Sequence, residues 1–215
     1  MRPYVIINFA SSLDGRISAE NGKQFKFSNL KDMSRVHKMR AQSDIIIVGR
    51  NTVDMDDPKL TINPKYFESD KIPDVGILDS AFRVNALARV FNYRRNVIIF
   101  CGSSAPPREF EKKVESKVIV RRSPEKIPTA EFVVKELEDM NYRKVMVEGG
   151  MSTITSFILG GVWDEINIFY SPIVIGKEGV PMVGYLQHPI SLGEIEVTRL
   201  GNGFLVKIKK GLSVH

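Results

Sequence analysis

The sequence predicts an α/β protein: a mostly parallel central sheet, helices on both faces and antiparallel strands near the C-terminus. Three observations carry this. Short β-branched runs recur at Tyr4 to Phe9, Ile45 to Val48, Val75 to Leu78, Val97 to Phe100, Lys117 to Val120 and Val145 to Val147, with helical patterns between several of them. Ile45 to Val48 and Val145 to Val147 are apolar without alternation, as strands buried on both faces and hence central to a sheet must be. Several runs end in polar, glycine-bearing segments, the composition found where parallel strands border a ligand crevice.

The elements follow in order. Tyr4 to Phe9 is the first strand, and Ala10 to Arg16 a small-residue loop ending in the Asp14-Gly15 turn. Asn21-Gly22 marks another turn. Ser28 reads as an N-cap, and Leu30, Met33, Val36 and Met39 recur on one face of the helix that follows. His37 falls in that helix as a polar or partly buried residue, and Arg40 sits at its end, where a cation favours the dipole. Pro106-Pro107 can start a helix around Arg108 to Val114. Thr129 caps a helix with an apolar stripe at Phe132, Val133, Leu137 and Met140. A helix begins near Ser152 and stops at Gly160-Gly161. Glu165 to Tyr170, Ile173 to Ile175, Ile195 to Thr198 and Phe204 to Ile208 read as antiparallel strands added at one edge.

A chain of 215 residues, 43% hydrophobic, suits a single domain over residues 1–215. Cys101 is the only cysteine, which rules out an intrachain disulfide and a cysteine-rich zinc site and fits a reducing cytoplasm. Met1-Arg2-Pro3-Tyr4 leads directly into a strand without signal-peptide architecture, and no apolar run approaches the roughly 20 residues that span a bilayer. The net charge of +6 is scattered, with small clusters at Arg94-Arg95, Lys112-Lys113, Arg121-Arg122 and Lys207 to Lys210. A basic stripe interleaved with aromatics is missing, so neither nucleic acid nor membrane is an expected partner.

Two stretches carry chemistry. In Ser43 to Thr61, Gly49 lets a ligand approach the backbone, Thr52 offers a hydroxyl, and Asp56 and Asp57 offer acceptors. The same residues also read as turn chemistry before Pro58, and both readings stand at this level. In Val145 to Thr153 a buried strand ends in Glu148, and Gly149-Gly150 precede a helix start whose exposed N–H groups suit a diphosphate. The pattern is not the Gly-x-Gly-x-x-Gly fingerprint, so a Rossmann assignment fails.

Taken together, Ser12-Leu13-Asp14-Gly15-Arg16, Arg40-Ala41-Gln42-Ser43-Asp44, Val48-Gly49-Arg50-Asn51-Thr52-Val53, Asp56-Asp57-Pro58-Lys59-Leu60-Thr61, Asp79-Ser80 and Glu148-Gly149-Gly150 resemble the riboflavin-pathway reductases, whose three-layer fold is similar to dihydrofolate reductase. The resemblance runs from Asn8 to about Ile208. It implies NADPH, with NADH as the alternative, contacted by Ala10, Thr52, Asp56 and Ser80, with Gly149, Gly150, Met151, Ser152, Thr153, Ile154, Thr155 and Ser156 around the diphosphate. Arg83 is the cation assigned to a 2′-phosphate. Asn8, Arg40, Leu60 and Glu148 would face the substrate. Two departures stand out: a lysine of bacterial relatives is Asn8 here, and a basic substrate contact three residues after Leu60 is Asn63. The zinc deaminase domain of the bacterial bifunctional proteins needs His-x-Glu and Pro-Cys-x-x-Cys, which this chain lacks.

The implied reaction reduces the ribosyl side chain of 2,5-diamino-6-ribosylamino-4(3H)-pyrimidinone 5′-phosphate to the ribitylamino form. Alternatives are another reductase of this fold acting on a pterin or on the deaminated pyrimidine, and a nucleotide-binding module without turnover. Ring opening and reduction both need a proton, and Glu148 and then Asp14 are the candidate catalytic acids. Gly150→Val is expected to block the diphosphate site and leave the fold largely intact. Family habit and apolar Ile166, Ile168, Tyr170, Ile173 and Ile175 suggest a homodimer.

Overall fold

A computed structural model of the chain describes residues 1–20, 25–108 and 114–211. The chain begins with β1 (Tyr4–Ser11), β2 (Arg16–Glu20), α1 (Leu30–Gln42), β3 (Ile45–Gly49) and α2 (Arg50–Asp56). It continues through β4 (Asp74–Leu78), β5 (Asn96–Cys101), β6 (Lys117–Arg122), α3 (Ala130–Asp139), β7 (Lys144–Val147) and α4 (Met151–Leu159). It ends in β8 (Glu165–Tyr170), β9 (Gly179–Pro181), β10 (Gly193–Leu200) and β11 (Gly203–Lys210).

Nine strands form one sheet in the order β10-β11-β8-β1-β7-β3-β4-β5-β6, and β2 pairs with β9 apart from it. From β8 to β6 all neighbours are parallel. Only β11 and β10 are added antiparallel. Ile45 to Val48 and Val145 to Val147 lie on adjacent central strands, all fully buried. A residue apolar on both faces is stable only where both are covered, and each such side chain contributes about 1.5–3 kcal/mol by burial. Ile45, Ile47, Val145 and Val147 pack with Val133, Leu137 and Phe157 of α3 and α4. Ile46 and Val48 face the opposite way and pack with Val53 of α2 and with Val75, Ile77 and Phe91. The alternation of β3 thus builds the core layers on both sides of the sheet.

Several expectations are corrected. The N-cap of α1 is Asn29, whose side chain accepts from Asp32 N–H, while the Ser28 hydroxyl bonds the Asp32 carboxylate. Glu165 to Tyr170 is parallel to β1 and antiparallel only to β11, because the chain crosses over α4 before reaching it. Ile173 to Ile175 is not a strand; the N–H groups of Ile175 and Gly176 donate to Asp14 instead of to a ladder. Ile166 and Ile168, expected at a subunit interface, are buried inside the monomer, whereas Ile195 and Val197 on edge strand β10 are exposed. The Asn21-Gly22 turn and nearly all of the helix expected around Arg108 to Val114 lie outside the described residues. Among the described residues no helix is long and apolar enough to cross a membrane.

Candidate functional site

Because β1, β3, β4 and β7 run parallel, their carboxyl ends share one rim of the sheet. A cleft of about 1130 Å³ opens there, lined by Ala10, Gly49, Leu78 and Glu148 from those ends. One wall is α1, with Leu30, Met33, Val36 and Arg40 facing the cleft. The spacing of Leu30, Met33 and Val36 reads as a core stripe in sequence, but the buried residues of α1 are Asp32, which also lines the cleft, and His37. Ile17 and Val180, from the β2–β9 pair, close the cleft from another side.

Two helix starts meet at the rim. α2 begins after Gly49 and α4 after Gly150, and neither N-cap residue offers a side-chain hydrogen bond, so their first-turn N–H groups keep their donor capacity. The glycines bring them close together. Gly49 N–H donates to Gly149 O at 3.3 Å. A Cβ on Gly49 would lie 2.8 Å from Thr153 Oγ1, and one on Gly150 would lie 3.1 Å from Thr52 Oγ1. Gly149 and Gly150 have φ of 112° and 63°, a region that side chains strain to enter. Gly150→Val therefore cannot leave the fold untouched, contrary to the expectation from sequence. The residues fit a dinucleotide phosphate: unfilled N–H groups, no Cβ in the way, and Thr52 and Ser152 hydroxyls on the cleft wall.

The same cleft holds an ion pair. Arg40 Nε and Nη2 donate to Glu148 Oε1 and Oε2, both at 2.6 Å, and Arg40 Nη1 donates to Thr61 O at 3.1 Å. Burial works against the Arg40 charge, but Glu148 more than offsets it and holds the guanidinium above its usual pKa. This fork–fork contact revises two expectations. Arg40 is not a free cation, though a guanidinium has five N–H donors and the contacts above leave some over. Glu148 has both oxygens accepting from a cation, which suits an acceptor and not a proton donor. Asp14 is outside the cleft: its carboxylate accepts from the Ser12 hydroxyl, Gly176 N–H and Ile175 N–H, and these bonds hold its pKa down to about 2. It anchors a turn, and a group so acidic has no proton to give at neutral pH.

The other residues sort by position. Asn8, Thr52, Asp56, Leu60, Ser80, Met151, Ser152, Thr153, Ile154 and Ser156 line the cleft together. The Asn8 amide is buried and its Oδ1 has no hydrogen-bond partner. Asp56 ends α2, and burial raises its carboxyl pKa with no cation contributing. Thr155 turns away: its hydroxyl donates to Met151 O and accepts from Gly184 N–H. Arg83 is exposed and does not line the cleft. Arg50 does, with Nη1 at 2.6 Å from Asp54 and Nε at 3.6 Å from Asp79 beside Ser80. Sequence reasoning passed over Arg50, although a cation directly after the strand-ending glycine is the signal that could have found it. His37 supports the site from beneath: its Nδ1 accepts from Asn63 N–H at 3.0 Å and its ring stacks on Tyr66. Burial first, and Arg40 second, push its pKa down to about 4.

A parallel sheet with an antiparallel edge and a phosphate-ready cleft at the strand ends is the dihydrofolate reductase fold class. Dihydrofolate reductase from Enterococcus faecalis shares it at a TM-score of 0.51 and 10% identity, covering 97% of each chain. Residues 3–206 match the RibD C-terminal domain, and the chain belongs to that family of reductases. It is 36% identical to the 2,5-diamino-6-ribosylamino-4(3H)-pyrimidinone 5′-phosphate reductase of Archaeoglobus fulgidus, over 96% of this chain and 97% of that one. A solved diaminohydroxyphosphoribosylaminopyrimidine deaminase/5-amino-6-(5-phosphoribosylamino)uracil reductase from Thermotoga maritima matches with a TM-score of 0.81 and 26% identity, over 98% of this chain and 57% of that one.

Proposed function

We propose that the protein reduces the ribosylamino side chain of 2,5-diamino-6-ribosylamino-4(3H)-pyrimidinone 5′-phosphate to the ribitylamino product in riboflavin biosynthesis, with NADPH as reductant. The observation that carries this is a single cleft lined by unfilled helix N-termini and by the Arg40–Glu148 pair. The first suits a diphosphate, the second a phosphorylated, amino-bearing pyrimidine.

The α2 and α4 starts hold the diphosphate, and Thr52 and Ser152 supply hydroxyls. Arg50, beside Ser80, is the cation within the cleft that suits a 2′-phosphate, in place of Arg83. Leu30, Met33 and Val36 give the apolar wall that keeps water from the reacting carbon. Arg40 turns its remaining N–H groups to the substrate phosphate, and Glu148, held by Arg40, accepts from substrate amino or hydroxyl groups. Bound nicotinamide supplies the hydride that C1′ takes up once the ribosylamine has opened to an imine. Asp56 is the carboxyl we assign to that opening, because it lines the cleft and pairs with no cation, and burial raises its pKa. The protein works in a reducing cytoplasm, and two copies pair through the exposed β10 edge, which sedimentation would read as a mass twice the 24.3 kDa of the chain.

The test is NADPH oxidation with the diamino and the deaminated substrates side by side, and NADH in parallel. Faster turnover of the diamino substrate with NADPH is expected. Turnover only of the deaminated compound, or of a pterin, would replace the proposed substrate.

A further inference from the structure

We propose that Arg95, which lies outside the cleft, is the positioning residue that sets the Leu60 to Asn63 wall and, through it, the grip on the substrate phosphate. This rests on the phosphorylated substrate proposed above. Arg95 precedes β5 and is 7% exposed. Its Nη2 donates to Lys59 O at 2.7 Å and its Nη1 to Leu60 O at 3.0 Å. Nη1 also reaches Pro73 O, and Nε and Nη2 both reach Val90 O. Among the described residues no carboxylate comes within ion-pair distance; the guanidinium rests on the Tyr93 ring at 5.2 Å. A buried cation without a paired counter-ion is costly, and here backbone carbonyls accept its hydrogen bonds while Tyr93 and Asp74 favour the charge from nearby. Burial lowers its pKa to about 10, so the charge persists at neutral pH.

Leu60 has φ of 51°, a left-handed conformation that strains a branched side chain and persists only where its surroundings fix it. Arg95 takes the carbonyls of Lys59 and Leu60, and Arg40 takes the next one, of Thr61. Three consecutive peptide carbonyls are thus held by two guanidinium groups, one of which is the cleft's own. Asn63 N–H then closes the segment onto His37. If Arg95 lets go, Leu60 can leave its strained conformation and Thr61 O moves. The third contact of Arg40 goes with it, and the Arg40–Glu148 fork loses its aim. Arg95 itself does not line the cleft.

Arg95→Met and Arg95→Lys, compared with the parent enzyme, test this. Expected for Arg95→Met is a KM for the phosphorylated substrate raised about tenfold or more, with NADPH affinity within about twofold of the parent. The dephosphorylated substrate should show a much smaller change, and Arg95→Lys should recover part of the loss by donating to Lys59 O and Leu60 O. Unchanged KM in a folded Arg95→Met overturns the proposal. So does an equal loss for phosphorylated and dephosphorylated substrates, or for substrate and NADPH. If Arg95→Met does not fold, Arg95→Lys is read the same way, and failure of both to fold assigns Arg95 to stability alone and also overturns it. Failure of the functional reading is separate, because the parent enzyme would then turn over neither substrate.

Discussion

Arg40 and Glu148 neutralise each other with side chains only 17% and 11% exposed, and removing one partner leaves the other as a poorly solvated charge. Arg40→Met should therefore cost about 2 kcal/mol of stability, well beyond the few tenths of a helix-end charge, together with most activity. Arg40→Met combined with Glu148→Gln should recover much of the melting temperature and none of the activity. If the double variant regains turnover, the pair serves the fold alone. Asp56→Asn should lower kcat by about 100-fold or more and should flatten the fall of kcat with rising pH that a general acid imposes. His37 gives the third test. Its pKa is 6.5 unfolded and about 4 folded, so the unfolded chain binds the extra proton between those values. Its contribution is complete above pH 6.5 and is lost as pH falls towards 4, by about 3 kcal/mol at most. His37→Gln keeps an acceptor for Asn63 without the titration, and melting across that range should show a shallower acid decline than the parent. An identical decline in both would assign it to other groups.

At the scale of elements, the uncapped start of α4 separates fold from cofactor binding better than the glycines do. A substitution at Gly150, with φ of 63°, mixes backbone strain with ligand loss. Ser152 is exposed in the first turn of α4 and lines the cleft. Ser152→Asp places a carboxylate where the helix dipole favours it, so thermal stability should hold or rise slightly. The same charge would repel a diphosphate, and NADPH affinity should fall about tenfold or more. An unaltered dissociation constant would move the phosphate site elsewhere. Elements were legible where one force dominated. Ile45 to Val48 could only be central, Thr129 does cap α3, and Gly149-Gly150 do open α4. Periodicity misled in α1, because apolar residues lining a cleft and apolar residues facing a core have the same spacing. The β2–β9 pair went unread because it is short and irregular in register, and the partners are far apart in sequence.

For the whole molecule, the parallel sheet collects Asn8, Glu148, Gly49 and Ser80 on one rim from positions scattered over the chain. Motifs and resemblance named most of these residues in sequence. They could not tell which charges are spent on each other: Arg40 on Glu148, and Asp14 on the turn at Ile175 and Gly176. Nor could they find Arg95, whose partners are all backbone carbonyls and leave no trace in residue types. On the proposed function this rim brings a nicotinamide hydride to C1′ of an opened ribosylamine. That transfer is tested most directly with NADPH deuterated at both positions of nicotinamide C4 and the diaminopyrimidine ribosylamino phosphate. Mass spectrometry and NMR of the product should find one deuterium, at C1′ of a ribitylamino chain, for each NADPH consumed. NADPH consumed with no deuterium at C1′, or NADPH bound and never oxidised in the presence of this substrate, would contradict it.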